Sequence, residues 1–340
     1  MTEFWKAKRV LVAGGAGFVG SHLVEQLVED EAQVTVADNL ESGTLDNLKA
    51  VMDRIRFIRG DLTHREFCEQ VTREQDIVMN LAARAYGIGY SCGHQGEMLT
   101  VNTLINLHLL EAARKNGAPR FLLVSSSCVY PDDAAVPTPE LDAFTGWPEG
   151  ANAGYGWSKR MAELQAKYYA AEHGMQIAIV RPFNAYGGRY RWQGGSSHVI
   201  PSLVKKVMDG ENPVVVWGSG DQERNFLHVR DFAWGMKLLT ERYATAEPVN
   251  LGLEETVSLK QLVYTILRVS GKEGVRVEFD RTKPEGRPVK SADSQKLRVI
   301  APEFRSRVSL EDGMKEMIAW YHRTFGDGGN GGAPHAATAN

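Results

Sequence analysis

A tyrosine and a lysine spaced for one helical face are the residues that indicate chemistry most directly. On a helix, Tyr155 and Lys159 lie about one turn apart on the same side. A lysine ammonium beside a tyrosine favours the phenolate, so this spacing predicts a lowered pKa for Tyr155. A phenol tuned in this way transfers protons near neutral pH. We therefore expect the pair to carry acid–base chemistry.

A glycine-rich segment near the N-terminus lies between a predicted strand and a predicted helix. Gly14, Gly17 and Gly20 are spaced to permit a tight turn, and Phe18 and Val19 open the helix. Such a turn brings a pyrophosphate close to backbone N–H groups at the helix N-terminus. The segment predicts a dinucleotide site. The alternatives are a nucleotide fold that binds FAD and one that binds no nucleotide.

Acidic residues after the next two predicted strands indicate which dinucleotide binds. Asp38 follows Gly20 by 18 residues, where a carboxylate accepts hydrogen bonds from the adenosine ribose and repels a 2′-phosphate. Asn39 comes next and no arginine follows at once, which favours NAD over NADP. After the third strand, Asp61 and Leu62 are expected beside the adenine.

The elements that must position these residues follow from apolar runs that alternate with helical patterns. This alternation predicts an α/β fold with a Rossmann-type doubly wound parallel sheet. We expect an NAD-binding domain over residues 1–185, and residues 225–255 should return to that domain. A smaller, mainly substrate-binding α/β region should cover 186–325. A disordered tail should cover 326–340. The predicted strands are 9–13, 33–37, 56–58, 76–80, 120–125 and 176–181, and the predicted helices are 19–29, 103–115 and 154–173.

Composition excludes several classes of function. The chain has 340 residues, 43% of them apolar, which suits an ordinary globular core. A net charge of −3 with no basic block gives no reason to expect nucleic acid as a partner, and no apolar run has the length of a membrane span. Cys68, Cys92 and Cys128 have neither disulfide nor zinc-site spacing, so we expect no metal. The N-terminus shows no signal-peptide pattern, and we expect a cytoplasmic protein.

Further motifs occur in a fixed order along the chain: residues 80–83, 125–127, 181–187, 217–220, 224–229 and 250–252. Together with the glycine turn and the Tyr155/Lys159 pair, they resemble the extended short-chain dehydrogenase/reductase family, specifically its nucleotide-sugar epimerases and dehydratases. The resemblance covers about residues 8–322. It implies that Ser126 joins Tyr155 and Lys159 as a catalytic residue. It also implies that cofactor contacts come from Leu81, Ala82 and Ala83.

Two finer motifs resemble particular groups within that family. Cys128 follows the serine segment and His198 lies in a Ser-Ser-His segment, as in GDP-L-fucose synthases, where the cysteine and histidine are the acid/base pair for epimerisation at C3 and C5. The segment 85–90, which includes Gly87, is similar to a glycine-rich loop of GDP-mannose 3,5-epimerases. Those enzymes keep the cysteine but carry lysine in place of His198. Fucose synthases use NADPH, whereas Asp38 favours NAD over NADP in this chain.

The resemblance implies a nucleotide-sugar epimerase that oxidises C4 transiently and inverts C3, C5 or both through Cys128 and His198. A 4-epimerase would use the serine, tyrosine and lysine alone. A dehydratase is disfavoured because no acidic residue follows the serine segment. A protein that senses NAD(H) without turnover is disfavoured because the tyrosine and lysine are both present. Contacts to the nucleotide-sugar substrate are expected from Gly87, Ser127, Asn184, Arg224 and Arg287.

Family members are commonly dimers that associate through a four-helix contact. By this resemblance we expect a homodimer in which the helices around 103–115 and 153–173 supply the interface.

Overall fold

The computed structural model describes residues 3–141, 144–190, 192, 198–283 and 286–326. The strands are β1 (Arg9–Ala13), β2 (Gln33–Asp38), β3 (Ile55–Arg59), β4 (Ile77–Asn80), β5 (Arg120–Val124), β6 (Gln176–Pro182), β7 (Ala185–Tyr186), β8 (Val214–Trp217), β9 (Glu223–Arg224), β10 (Leu227–His228), β11 (Thr245–Leu251), β12 (Val257–Ser258), β13 (Val277–Asp280) and β14 (Val289–Lys290). The helices are α1 (Phe18–Glu29), α2 (Arg65–Val71), α3 (Ile88–Ser91), α4 (Gln95–Lys115), α5 (Ala153–His173), α6 (Val199–Met208), α7 (Val229–Arg242), α8 (Leu259–Val269), α9 (Gln295–Ile300) and α10 (Leu310–Phe325).

A seven-stranded sheet forms the centre of the molecule, with strand order β11-β6-β5-β4-β1-β2-β3 and parallel pairing throughout. Side chains alternate across it, so that Val10 and Val12 enter one hydrophobic core while Leu11 and Ala13 enter the other. Burial on both faces explains why β1 reads as a continuous apolar run. The predicted Rossmann-type parallel sheet is confirmed.

The predicted elements differ from the observed ones mainly in where one helix begins. Helix α4 begins at Gln95 rather than at residue 103. Its first turn is polar and shows no apolar periodicity, yet Met98 in the next turn is fully buried. The strand predictions agree with the structure to within one residue at each end.

The later part of the chain builds a second set of small sheets around its own core. Strand β8 pairs with β13, and β9 pairs with β12 and β14. Helices α6, α8 and α10 pack together beside them, with Leu203, Val263 and Met317 in the core. Strand β11 returns to the central sheet, and α7 packs against α1. The division into two domains stays a prediction, and the predicted tail, from 327 onward, lies outside the described residues.

Two features are absent from the described residues. No helix among them is long and apolar enough to cross a membrane. Within the same ranges, no three His, Cys, Asp or Glu side chains are grouped to hold a metal ion. The three cysteines are free thiols.

Candidate active site

The glycine turn after β1 leaves no room for side chains. A Cβ on Gly20 would lie 2.2 Å from the Gly14 carbonyl oxygen, and a Cβ on Gly14, whose φ is +76°, would lie 2.7 Å from the Ala82 nitrogen. Gly17 caps α1 without a side-chain hydrogen bond. The backbone N–H groups of the first helical turn, which begins at Phe18, therefore remain available to an anion. This geometry fits the pyrophosphate of a dinucleotide.

Asp38 is fixed at the carboxyl end of β2. Its two carboxylate oxygens accept hydrogen bonds from the Ala16 N–H at 3.0 Å and the Leu40 N–H at 2.8 Å. Burial raises the pKa of Asp38, and these two N–H donors oppose the shift. The neighbouring Asn39 side chain accepts from the Glu41 N–H at 2.9 Å. The Asp38 carboxylate is thus held beside the glycine turn, where the resemblance puts the adenosine ribose.

The ends of β3 and β4 complete this side of the sheet. Asp61 accepts hydrogen bonds from the Thr63 N–H and hydroxyl, both at 2.8 Å, so one carboxylate oxygen is already engaged. Leu62 is buried beside it. The Leu81 N–H donates to the Ala13 carbonyl at 2.9 Å, which holds the segment 81–83 against the glycine turn. These residues could hold the adenine and the cofactor backbone.

Helix α5 presents Tyr155 and Lys159 on one face, but their electrostatics differ from the prediction. The Lys159 ammonium donates to the Val124 carbonyl at 2.8 Å and lies 5.4 Å from the centre of the Tyr155 ring. Burial lowers the pKa of Lys159 to about 8, although the nearby Glu163 and Cys128 act to raise it.

The sequence predicts a lowered pKa for Tyr155. For the protein chain alone, this prediction is wrong. Burial raises the pKa of Tyr155, and the neighbouring Cys128 adds to the shift. The physical reason is that the Lys159 ammonium is engaged by a backbone carbonyl, while the phenol is withdrawn from water.

A short helical turn after β5 carries Ser126, Ser127 and Cys128. The Ser126 hydroxyl accepts a hydrogen bond from the Cys128 N–H at 3.1 Å, and Ser127 is buried. A Cβ on Gly156 would lie 2.6 Å from the Cys128 carbonyl oxygen, so glycine there lets α5 approach the turn. Buried Arg160 donates to the Val129 carbonyl from Nε at 2.9 Å and from Nη2 at 2.6 Å. The turn is thereby fixed to the helix that carries Tyr155.

Sequence reasoning missed two charged residues beside Cys128. The Glu149 N–H donates to the Cys128 carbonyl at 3.3 Å, and the Glu149 carboxylate lies 3.0 Å from the Lys290 ammonium. Glu149 and Lys290 are both buried. Burial and the Glu149 charge raise the pKa of Cys128 to about 12, against the effect of Lys290. Neither residue belongs to a recognisable spacing, so only the fold brings them together.

The charges of these residues determine their protonation. Burial acts to raise the pKa of Glu149, but Lys290 and the hydrogen bonds to the carboxylate outweigh it and lower that pKa to about 2. Burial also opposes the charge on Lys290, yet Glu149 and Cys128 raise its pKa. The two residues therefore form an ionised pair that acts electrostatically on a neutral thiol.

The charge of Lys290 also acts on His198. His198 occupies the position before α6, and its ring meets the Tyr190 ring edge-on with 5.7 Å between centres. His198 as a whole residue is exposed to solvent; desolvation of its ring by the surrounding protein lowers its pKa to about 4, and the positive charge of Lys290 adds to the shift. The charge of Lys290 thus acts on the protonation of both Cys128 and His198. The serines that precede His198, at 196–197, lie outside the described residues.

Two arginines add positive charge to this region. Burial lowers the pKa of Arg224. The negative charge of Glu149 opposes this shift, and the positive charge of Arg287 adds to it. Arg287 is buried and donates to the Ala134 carbonyl at 2.8 Å. Since guanidinium groups suit phosphate oxygens, the two arginines could receive a diphosphate.

The remaining predicted substrate residues are engaged in local structure. The Asn184 amide donates to the Asn225 carbonyl at 3.0 Å, which ties the end of β6 to the segment that precedes β10. The Gly87 carbonyl accepts from the Tyr90 N–H at 3.0 Å and the Ser91 N–H at 3.1 Å at the start of α3. Their backbone and amide oxygens could still contact a ligand, but these contacts also give both residues a structural role.

Comparisons with known proteins agree with this geometry. The NAD dependent epimerase/dehydratase family matches residues 10–252. GDP-L-fucose synthase 1 of Arabidopsis thaliana is 32% identical over 93% of this chain and 94% of its own length. GDP-mannose 3,5-epimerase 1 of Oryza sativa subsp. indica is 30% identical over 81% of this chain and 75% of its own length.

Solved structures agree as well. A UDP-glucose 4-epimerase of Thermotoga maritima, crystallised with UDP-glucose, superposes with a TM-score of 0.84 at 27% identity and covers 93% of this chain and 99% of its own. The family match, the relatives and the glycine turn lead to one conclusion: the chain belongs to the NAD-dependent epimerase/dehydratase family and is an enzyme that uses NAD.

Proposed function

We propose that the protein is a nucleotide-sugar epimerase that inverts C3, C5 or both. The observation that carries this proposal is the position of Cys128, whose carbonyl lies against Gly156 beside Tyr155, and the charge of Lys290 acts on the protonation of both Cys128 and His198. A 4-epimerase needs no such pair of proton-transfer groups. The two relatives with GDP-sugar names make GDP-mannose and its derivatives the first substrates to test.

The reaction divides into a redox step and a proton step. NAD held by the glycine turn would supply reversible hydride transfer at C4, and its positive charge would favour the Tyr155 phenolate. Tyr155 takes the proton of the C4 hydroxyl, Lys159 supports the negative charge, and Ser126 orients the oxygen. The resulting C4 ketone makes the C3 and C5 protons acidic. Cys128 and His198 then exchange protons with carbon on opposite faces of the sugar.

Charge supports the assignment of the substrate end. Arg224 and Arg287 are close enough for each to affect the other electrostatically, and we assign them to the diphosphate, with Asn184 beside them. Ser127, next to Cys128, and Gly87 are assigned to the sugar. In this arrangement the diphosphate holds the substrate while the two acid/base groups act on the ring.

A 4-epimerase is the second candidate, and the fold similarity to the Thermotoga maritima UDP-glucose 4-epimerase favours it. Ser126, Tyr155 and Lys159 suffice for that reaction, because the ketone only has to rotate and accept hydride on its other face. The two candidates differ in one measurable respect. Only the first breaks carbon–hydrogen bonds at C3 or C5 and exchanges those protons with solvent.

Product analysis in D₂O tests the proposal. The unmodified enzyme is incubated with GDP-, UDP-, ADP-, CDP- and dTDP-sugars, and the product is examined by NMR. We expect deuterium at C3 or C5. Cys128→Ser and His198→Asn should retain C4 oxidation while slowing inversion by at least about a hundredfold, the scale for loss of a general acid or base. An inverted product without carbon-bound deuterium would exclude this reading and favour the 4-epimerase.

We also propose a homodimer formed through α4 and α5, which pack against each other. Large apolar side chains are exposed on both helices: Leu99, Leu107, Met161 and Tyr168. Sedimentation should give twice the chain mass for the unmodified protein and a monomer for Leu107→Glu/Met161→Glu. The three free thiols suit the reducing environment of a cytoplasm, which we propose as its location.

A further inference from the structure

Glu149 contacts Cys128 through its main chain and acts on the thiol through its charge. The Glu149 N–H donates to the Cys128 carbonyl at 3.3 Å. Burial raises the pKa of the Cys128 thiol, and the negative charge of Glu149 adds to the shift. The Glu149 carboxylate lies 3.0 Å from the Lys290 ammonium and 3.4 Å from the Asn152 amide nitrogen. A buried carboxylate with these two polar partners has a fixed position, so its charge acts on the neighbouring thiol from a fixed place.

We propose that Glu149 is a positioning residue that sets the protonation of Cys128, and that Lys290 is its counter-charge. The inference rests on the proposed function, because only proton transfer at carbon requires Cys128 to change its charge during turnover. The pair serves both states of the sulfur. The negative charge of the carboxylate favours the neutral thiol, and the positive charge of the ammonium stabilises the thiolate.

The proton movements balance within this arrangement. When the thiolate removes a proton from the sugar carbon, an S–H bond forms and the electron pair of the C–H bond passes to the enolate at the C4 ketone. When the thiol donates, the S–H bond breaks and its electron pair stays on sulfur. In either direction His198 exchanges the second proton with the opposite face, and solvent restores the starting protonation.

Other charged groups face Cys128 but are assigned different roles. Tyr155 and Lys159 from α5 are close enough for the Cys128 charge to affect their protonation. Arg224 from β9 acts electrostatically on Glu149. Tyr155 and Lys159 belong to the C4 step, and Arg224 acts on Cys128 only through Glu149. A change at Glu149 or Lys290 should therefore alter the thiol while leaving C4 oxidation in place.

Variants of the two partners should shift the acidity of Cys128 in opposite directions. The rate of alkylation by iodoacetamide at pH 8–10 is measured for each cysteine by peptide mass spectrometry, with exposed Cys92 as the internal reference. Glu149→Gln removes the negative charge, so Cys128 alkylation should become at least about tenfold faster. Lys290→Met removes the positive charge and should slow it several-fold. Glu149→Asp should restore part of the unmodified behaviour.

The control for this experiment lies on the same loop. The Asp132 carboxylate accepts the Gly150 N–H at 3.0 Å, so Asp132→Asn disturbs the loop without removing the Glu149 charge that acts on the thiol. It should leave Cys128 alkylation within about twofold of the unmodified rate. Because Glu149→Gln leaves a buried ammonium unpaired and could impair folding, Glu149→Gln/Lys290→Met is measured too. This double variant should fold, and its rate of Cys128 alkylation should lie between the rates of the two single variants.

Shifts of the same sign in Glu149→Gln and Lys290→Met, or no shift in either, would overturn the inference. A second readout uses turnover: the pH profile of deuterium incorporation should move to lower pH in Glu149→Gln and to higher pH in Lys290→Met. If the unmodified enzyme incorporates no deuterium at carbon, the proposed function fails. Opposite alkylation shifts would then still establish the effect of the pair on the thiol, so the two failures are distinguishable.

Discussion

The cofactor side and the substrate side of this molecule are built by different means. On the cofactor side, a single stretch of backbone from β1 into α1 forms the binding turn, and what matters there is the absence of side chains. On the substrate side, the ionisable groups belong to four segments that are distant in sequence: the turn after β5, the segment before α5, the start of α6, and β14. A site made of local backbone is visible in a sequence, whereas one made of distant side chains depends on the whole fold.

The largest effect is expected where the two sides meet, at Tyr155. Tyr155→Phe removes the hydroxyl and keeps the ring that packs at the site. Turnover should fall by about 10²–10⁴-fold, since the acid–base group of the C4 step is lost. Steady-state kinetics with the best substrate from the D₂O panel measures this. The variant should still fold and bind NAD, as shown by circular dichroism and by titration of the cofactor; near-normal turnover would remove Tyr155 from the mechanism.

On the substrate side, the Glu149–Lys290 pair should make stability depend on pH. The folded pKa of Glu149, about 2, lies below its ordinary value of 4.5. Its contribution is therefore present above pH 4.5 and is lost as pH falls toward 2. Its size is at most about 3 kcal/mol. Urea unfolding of the unmodified protein and of Glu149→Gln should show a difference in free energy that shrinks between pH 5 and 3.

The other carboxylates titrate in the same way in the unmodified protein and in Glu149→Gln, so their contributions cancel in the difference in unfolding free energy. A difference in unfolding free energy that stays constant across that pH range would show that Glu149 is not ionised through its contact with Lys290.

On the cofactor side, the backbone itself is the target. Gly20→Ala would bring a methyl group within 2.2 Å of the Gly14 carbonyl oxygen, so the turn must shift. We expect NAD affinity to fall by about 30-fold, or about 2 kcal/mol, the ordinary cost of overpacking. Isothermal titration calorimetry measures it. Gly96→Ala in α4 is the matched control, since nothing lies within 4 Å of its Cβ; equal losses in both variants would contradict the argument.

The contrast between the two sides also explains what the sequence could predict. The glycine turn and Asp38 follow one another along the chain, and their spacing alone indicated NAD. The parallel sheet followed from apolar runs whose side chains are buried on both faces. By contrast, Glu149 and Lys290 are distant in sequence both from each other and from Cys128, and no spacing rule joins them. The raised pKa of Tyr155 was missed because helical spacing says nothing about burial or about the backbone carbonyl that engages Lys159.

The smallest effect is expected from the one side chain that the cofactor side uses for selectivity. Asp38 lies at the end of β2 and is almost fully buried, so its carboxylate cannot turn away from a 2′-phosphate. Asp38→Ala should lower the ratio of the NADP and NAD dissociation constants by about tenfold, or about 1.4 kcal/mol. The ratio is the proper measure, because loss of the acceptor for the Ala16 and Leu40 N–H groups weakens both cofactors alike. Asp46→Asn removes an exposed carboxylate from the same loop and should leave the ratio unchanged. Equal affinities of the unmodified protein for both cofactors would show that the Asp38 carboxylate does not select between them.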